Sequence, residues 1–418
     1  MDTQPRTDRQ VPNGGGRRGT VLFLTSSYPK DVTEPSGIFL HHLNKELAAL
    51  GWAIVVVAPG FPGGRSDETL DGVKVARFTY FIPAWEKLCY GSGIIPNLKQ
   101  SPWLWIEVPF YFVSMIWRCY RLLQRHRVDV ICAHWILPQG VVGAVIRGFH
   151  KAPLMVTAHG SDMFRFDGRL GNALKRFVLR RVDSCSANSQ YTSRQVNLLS
   201  PQLNVEIIPM GVDPVSFSTE KKVTVRKTLG IDGEFLLFVG RLVPEKGPLY
   251  LLKALPLVLE RFPRAQLVLA GGGTQRQELE RLAEDLSITH AVRFLGRIPH
   301  RELACYYSAA DVFVGPSLVE GLGIVFLEAA ASGLPIVGSR VGGVTDILID
   351  GITGIEVEPA NSRQLAEAII HLLDNSELRR TLANTARQHV EQHFTWRQVA
   401  LCYDRLLRET IQRKTDQL

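Results

Sequence analysis

Two glutamates, Glu320 and Glu328, enclose a stretch that contains Gly321 and Gly323. A short apolar strand pattern precedes it, and from Ile324 to Ala331 small and apolar residues recur at helical spacing. The glycines let backbone approach a ligand at the helix start, where unpaired N–H groups and the positive dipole end favour an anion such as phosphate. The two carboxylates are spaced to bind different hydroxyl groups of one ligand, as sugar sites require. The alternative is that Glu320 is a loop charge and Glu328 a solvated helix residue.

A second glycine-flanked loop supplies positive charge. It is Gly240-Arg241-x4-Lys246-Gly247, and it follows the apolar strand pattern of residues 235–239. Fixed cations at such a position can stabilise the charge that develops on a leaving diphosphate. The loop is not a Walker motif, because Arg follows the first Gly and no Ser or Thr follows the Lys. Ordinary surface charge is the alternative.

The pattern Glu320-x7-Glu328, with Gly321 and Gly323 inside it, resembles the signature of the GT4 family of retaining glycosyltransferases. Leu322 stands where that family usually has Phe, a change that keeps apolar bulk. The resemblance implies an α/β chain with the GT-B fold, in which two Rossmann-like domains with parallel sheets face each other across a cleft.

The resemblance also implies roles for individual residues. Glu328 would bind the ribose of a nucleotide and Glu320 the donor sugar, while His159, at a predicted strand end, would contact that sugar near the reacting carbon; a lone His is otherwise more often structural. Ser36 departs from the family's usual Gly-Gly pair. Asp162 either orients the acceptor or only caps the next helix. The expected catalytic residues are His159, Arg241, Lys246 and Glu320; the expected donor-binding residues are Gly37, Gly240, Arg241, Lys246, Gly272, Glu320, Gly321, Leu322, Gly323 and Glu328; His134 and Asp162 are expected on the acceptor side.

Neither a metal nor a cofactor is expected. The chain has no Asp-x-Asp motif. His389 and His393 lie four apart, but Glu391 is misplaced for the zinc-protease pattern and no third ligand is apparent. The nucleotide sugar, UDP- or GDP-linked, would be a substrate. No enzymic nucleophile is apparent, so the resemblance implies the same-face mechanism, in which the leaving phosphate takes the proton of the acceptor.

Chain length and periodicity predict two α/β domains. The predicted division is a flexible tail at 1–19, an acceptor-side domain at 20–212, a nucleotide-sugar domain at 213–393, and a helix at 394–418 that crosses back to the first domain, as in the family. Residues 59–102 are rich in Gly and Pro and are expected to form loops.

Charge is distributed unevenly along the chain. Residues 1–215 carry 24 Lys+Arg against 16 Asp+Glu, so the whole net charge of +8 lies in this half. With the aromatic stretch 103–117, which is too short and too interrupted to span a membrane, this suggests docking on an anionic membrane surface. Ordinary solubility charge is the alternative, and no nucleic-acid motif accompanies the charge. Six scattered cysteines and a polar start predict a cytoplasmic protein, and docking through the basic half would make it peripheral on the inner face of the membrane.

Together with these observations, the resemblance to the GT4 family implies a metal-independent retaining hexosyltransferase that acts on a hydroxyl of a glycan acceptor. Residues 36–39 and 134–140 look most like members that build bacterial polysaccharides on lipid carriers, which suggests a polyprenyl-diphosphate-linked acceptor. The alternatives are a nucleotide-sugar 2-epimerase of the same architecture and a non-catalytic nucleotide-sugar binder. A dinucleotide dehydrogenase is disfavoured, because Gly321-x-Gly323-x-x-Phe326 lacks the third Gly of that fingerprint.

Overall fold

The structure is a computed structural model that describes residues 18–30, 37–91, 93–164, 166, 168–217 and 222–416. The predicted flexible tail at 1–19 lies outside the described residues except for its last two positions, and Ser36 also lies outside them.

Eight strands form the first sheet, in the order β3-β4-β2-β1-β5-β6-β7-β8. Its strands are β1 Gly19–Leu24, β2 Trp52–Pro59, β3 Asp67–Leu70, β4 Val73–Phe78, β5 Val130–His134, β6 Leu154–Ala158, β7 Ser184–Ala187 and β8 Val205–Ile207. β3 pairs antiparallel with β4, and the other neighbours pair in parallel. The central strands are buried on both faces, as their continuous apolar sequences require. The strand order reverses between β1 and β5, the place where ligands of such sheets bind.

Helices and a hairpin complete the first half of the chain. The helices are α1 Ile38–Ala49, α2 Ile94–Gln100, α3 Glu107–Arg125, α4 Val141–Ile146, α5 Ser161–Phe164, α6 Arg169–Leu179 and α7 Gln190–Leu199, and a 3-10 turn at Pro102–Ile106 precedes α3. The expectation of loops at 59–102 is wrong, because β3, β4 and α2 lie there. The turn between β3 and β4 is Asp71-Gly72, with both residues at positive φ, which is a hairpin signal that the Gly and Pro content concealed.

The second sheet has six parallel strands in the order β11-β10-β9-β12-β13-β14. They are β9 Phe235–Val239, β10 Gln266–Ala270, β11 Val292–Gly296, β12 Val312–Gly315, β13 Ile336–Ser339 and β14 Ile355–Val357. The strand order reverses between β9 and β12. The loops at 240–247 and 316–323 follow these two strands, so both predicted ligand loops lie at the switch point.

The helices that the structure describes in this half are α8 Lys222–Leu229, α9 Pro248–Arg261, α10 Arg276–Asp285, α11 His300–Ala309, α12 Ile324–Ala331, α13 Ser362–Asp374, α14 Ser376–His393 and α15 Trp396–Asp416. The last of them packs against the first sheet: Trp52 Nε1 donates to Asp404 at 2.9 Å, and the hydroxyls of Tyr403 and Thr157 lie 3.1 Å apart. Where the chain passes between the sheets, the backbone N–H of Val212 donates to the Phe394 carbonyl at 2.8 Å. The predicted domain boundaries stay predictions. Within the described ranges, no helix is both long and apolar enough to cross a membrane.

Candidate functional site

The glycine-containing loop after β12 leads directly into the start of α12. Gly323 adopts a left-handed conformation with φ of 91° at the N-cap, and a Cβ there would lie 2.7 Å from the Phe326 ring. Among the described residues, no side chain caps this helix. Backbone N–H groups at the start of α12 are therefore available to an anion, as the sequence predicts. Leu322, at the position where the family usually has Phe, is buried in the core.

Lys246 and Glu320 form an ion pair at this position. Lys246 ends the 3-10 turn Pro244–Lys246 after β9, and Ser317 also approaches Glu320, with its hydroxyl 3.5 Å from the carboxylate. The two loops are tied together, because the backbone N–H of Leu318 donates to the Glu245 carbonyl at 2.8 Å. Arg241 is exposed at the start of the same loop. The fold therefore places the predicted cation and carboxylate in contact although 74 positions separate them.

Glu328 is buried, which excludes the solvated-residue interpretation. Its two oxygens accept hydrogen bonds from His300 Nε2 and from the Tyr307 hydroxyl, each at 2.8 Å. Phe217 packs edge-on against both rings. The hydrogen bond to Glu328 raises the pKa of His300, although burial acts in the opposite direction. His300 and Tyr307 were not predicted, since α11 carries no local motif that points to α12.

His159 follows β6 in the first half and lies in an aromatic setting. Its Nε2 lies 2.9 Å from His134 Nδ1, and its ring centroid lies 4.8 Å from Trp135 and 5.5 Å from Phe39. Burial lowers the pKa of His159 to about 3, and burial together with the neighbouring His159 ring lowers the pKa of His134 well below its usual value. Both rings are therefore neutral near pH 7. His134 is fully buried, so it reaches a ligand only through His159.

Asp162 joins the loops that follow β5 and β6. Its carboxylate accepts the backbone N–H of Ile136 at 2.8 Å and that of His159 at 3.0 Å. The side chain is buried, and this burial raises its pKa. This placement fixes the backbone that carries His159, a positioning role that neither the acceptor-contact nor the helix-cap interpretation contained.

The two halves of the chain meet beside His159 and the start of α12. A Cβ built on Gly160 would lie 2.7 Å from the Gly321 Cα, and a Cβ on Gly321 would lie 2.8 Å from the His159 carbonyl oxygen. A second contact is the hydrogen bond from the Gln190 backbone N–H to Asp346 at 2.6 Å. A ligand that occupies the start of α12 would therefore lie next to His159.

The remaining predicted glycines lie at a helix start or just after strands. Gly37 is the N-cap of α1 with φ of 75°, and a Cβ there would collide with the Ser27 carbonyl. Gly240 and Gly272 follow the neighbouring strands β9 and β10, and a Cβ on Gly272 would meet its nearest atom only at 3.7 Å. Gly37 thus lies in the first half of the chain, and Gly240 and Gly272 lie in the second. Among the described residues, no group of three or more His, Cys, Asp or Glu side chains could hold a metal ion.

Two family models match the chain. Residues 36–215 match "Glycosyltransferase Family 4", and residues 222–389 match "Glycosyl transferases group 1". Glycogen synthase of Mycobacterium tuberculosis is 31% identical over 91% of this chain and 92% of its own length. A GDP-mannose-dependent phosphatidylinositol monomannoside mannosyltransferase of Mycolicibacterium smegmatis is 30% identical over 67% of this chain and 76% of its own.

Solved structures have the same architecture. Sucrose-phosphate synthase of Thermosynechococcus elongatus superposes with a TM-score of 0.77 at 24% identity, covering 95% of this chain and 100% of that one. HepE of Anabaena, solved with UDP and glucose, superposes with a TM-score of 0.73 at 20% identity, covering 94% and 100%. These structures confirm the predicted GT-B fold of two α/β halves with parallel sheets. From the family models and the relatives together, we conclude that the chain belongs to the GT4 family of glycosyltransferases.

Proposed function

We propose that this glycosyltransferase moves a hexose from a UDP- or GDP-sugar to a hydroxyl of a lipid-linked glycan, with retention of anomeric configuration and without a metal. The proposal depends on one observation. The Lys246–Glu320 pair and the start of α12 belong to the second half, and the contact between Gly160 and Gly321 brings them next to the loop that carries His159. A donor bound by the second half would have its sugar between these groups.

The chemistry assigned to the site is charge stabilisation. The anomeric C–O bond breaks with its electron pair moving to the diphosphate, the acceptor oxygen forms the new bond on the same face, and the acceptor proton passes to the leaving phosphate. Lys246, Arg241 and the N–H groups of α12 would stabilise the diphosphate charge. His159 contributes a neutral imidazole; because its Nε2 pairs with His134 Nδ1, its Nδ1 is the ring nitrogen left to make one hydrogen bond to the sugar.

The two glutamates would hold the donor at separate points. Glu320 lies beside Lys246 and would accept from a sugar hydroxyl. Glu328 would accept from the ribose, and it can do so with His300 and Tyr307 in place because a carboxylate has about four lone-pair sites.

A lipid-linked acceptor is supported by the surface of the first half. Trp105, Phe110 and Trp117 are exposed on the 3-10 turn and α3, and Arg121 and Arg125 are exposed at the end of the same helix. An exposed apolar patch with basic residues suits an anionic membrane, where each basic residue contributes about 1 kcal/mol. The mannosyltransferase relative, whose name specifies a phosphatidylinositol acceptor, is consistent with this. We therefore place the enzyme at the inner face of the cell membrane, in bacterial polysaccharide biosynthesis.

The test is a thermal-shift and nucleotide-release screen with UDP-, GDP- and ADP-sugars in the absence of added metal. We expect one nucleotide class to stabilise the wild type and to lose this effect in Glu328→Gln. The matched control is Glu367→Gln, which changes an exposed glutamate of α13. No stabilisation by any donor would contradict the proposal. Inverted product stereochemistry would contradict retention, and interconversion of a nucleotide sugar without acceptor would favour the 2-epimerase.

A further inference from the structure

A cavity of about 990 Å³ lies in the first half of the chain, within the size range of small-molecule sites. Its walls come from α2, α3, α6 and the segments that follow β1 and β5. Nothing in the proposed donor site occupies it, because the groups assigned to the donor in the second half do not line it.

The lining is mostly hydrocarbon. Ile94 and Leu98 of α2, Phe112 of α3 and Leu174 of α6 form much of it. Of the described residues that line it, the charged ones are Asp162, which already accepts two backbone N–H groups, and Arg169, which is exposed on α6. The lining offers a sugar or a nucleotide few partners to replace its hydrogen bonds to water, whereas a hydrocarbon chain has none to lose.

The two ends of the cavity differ. Trp105, Leu170 and Leu174 line the cavity and are also exposed. The cavity therefore opens between α6 and the exposed aromatic surface of the 3-10 turn and α3. At the other end, Asp162 and Trp135 line it, and the Trp135 ring lies 4.8 Å from that of His159. A chain that enters from the membrane side therefore brings its polar head towards the reaction centre.

We infer that this cavity binds the hydrocarbon chain of the lipid-linked acceptor and thereby sets the position of the acceptor head beside His159. The inference rests on the proposed function for the identity of the ligand, but the binding itself is testable without turnover. The continuity of the cavity with an exposed aromatic surface and its closeness to His159 favour this occupant over a free metabolite.

The first measurement is calorimetric binding of hexyl, octyl and decyl phosphate to the wild-type chain, below the concentrations at which these probes aggregate. Burial of each added methylene should increase affinity by up to about fourfold, which corresponds to about 0.8 kcal/mol. The heat capacity change should become more negative with chain length. Affinity that does not rise with chain length would overturn the inference, whatever the variants show.

The second measurement uses variants. Leu174→Trp puts a bulkier side chain in the cavity and should weaken decyl phosphate binding at least tenfold. The control Leu198→Trp, at an exposed position of α7 outside the cavity, should leave that binding unchanged. Val141→Trp, from another wall, serves if thermal unfolding shows that Leu174→Trp is not folded. Unchanged binding by a folded cavity variant would overturn the assignment.

Donor binding is measured on the wild type in parallel. If a nucleotide sugar stabilises the protein but alkyl phosphate affinity does not depend on chain length, the cavity assignment is wrong and the proposed transfer reaction stands. If alkyl phosphate affinity rises with chain length but no nucleotide sugar stabilises the protein, the proposed transfer reaction is wrong and the cavity still binds hydrocarbon. The two failures are therefore distinguishable.

Discussion

Replacing Gly321 by alanine should separate donor binding from transfer. The backbone of Gly321 is not in the left-handed region, so alanine meets no local strain. Its Cβ, however, would lie 2.8 Å from the His159 carbonyl oxygen of the opposite loop. Ordinary contact begins at 3.4 Å, so the two loops must separate by about 0.6 Å.

This separation moves His159 relative to a donor held by the second half. A misplacement of about 1 Å can cost a hundredfold in rate, and overpacking typically costs about 1–3 kcal/mol. We therefore expect kcat to fall roughly tenfold or more in Gly321→Ala. The affinity for UDP or GDP alone should fall much less than kcat, because alanine keeps the backbone N–H through which Gly321 would bind the donor, and Lys246 and Glu328 lie on the second half and are not displaced.

The assay compares kcat at saturating substrates with the Kd of the free nucleotide from calorimetry. Gly60→Ala is the control, since its Cβ would meet its nearest atom at 3.4 Å. Wild-type kcat in Gly321→Ala, or a loss of nucleotide affinity as large as the loss in kcat, would refute the argument that the cross-cleft contact positions His159.

Three further predictions concern the second half. Lys246→Ala should reduce turnover roughly a hundredfold to a thousandfold, since it removes a fixed cation beside Glu320, and a loss below tenfold would contradict a transition-state role. Tyr307→Phe leaves a buried oxygen of Glu328 without its donor, so denaturant titration should show a loss of about 1–3 kcal/mol, and an unchanged free energy of unfolding would contradict this. The raised pKa of His300 means that its contribution to the free energy of unfolding is complete below pH 6.5 and is lost as the pH rises through the folded-state pKa. Denaturation across this range should show that loss in the wild type and not in Glu328→Gln, and an NMR titration of His300 should report the pKa directly.

Local pattern was sufficient for the strands that carry the site. The run at 235–239 appears at this position as β9 because buried parallel strands need continuous apolar sequence. Pattern failed at 59–102, where the Asp71-Gly72 turn joins two short strands. β3 is an edge strand with alternating exposure, so its sequence carries no strong apolar signal.

Contacts between residues of different helices and strands could not be predicted from local sequence pattern. Nothing near Glu328 indicates that Tyr307 and His300 will bond to it, because α11 and α12 are brought together by core packing. From the sequence, His134 and Asp162 are expected on the acceptor side, with a helix cap as the alternative for Asp162. Only the fold shows that His134 pairs with the His159 ring and that Asp162 accepts the His159 backbone N–H.

The sequence by itself determined the α/β alternation, the two glycine-containing loops and the GT4 family, since each depends on spacing within a short segment or on motif identity. Tertiary structure alone decided the Lys246–Glu320 pair, the approach of Gly160 to Gly321 and the apolar cavity beside Trp135. These features join positions that are far apart along the chain. Their geometry follows from how the helices and sheets pack, and periodicity within one segment carries no information about which distant segment will face it.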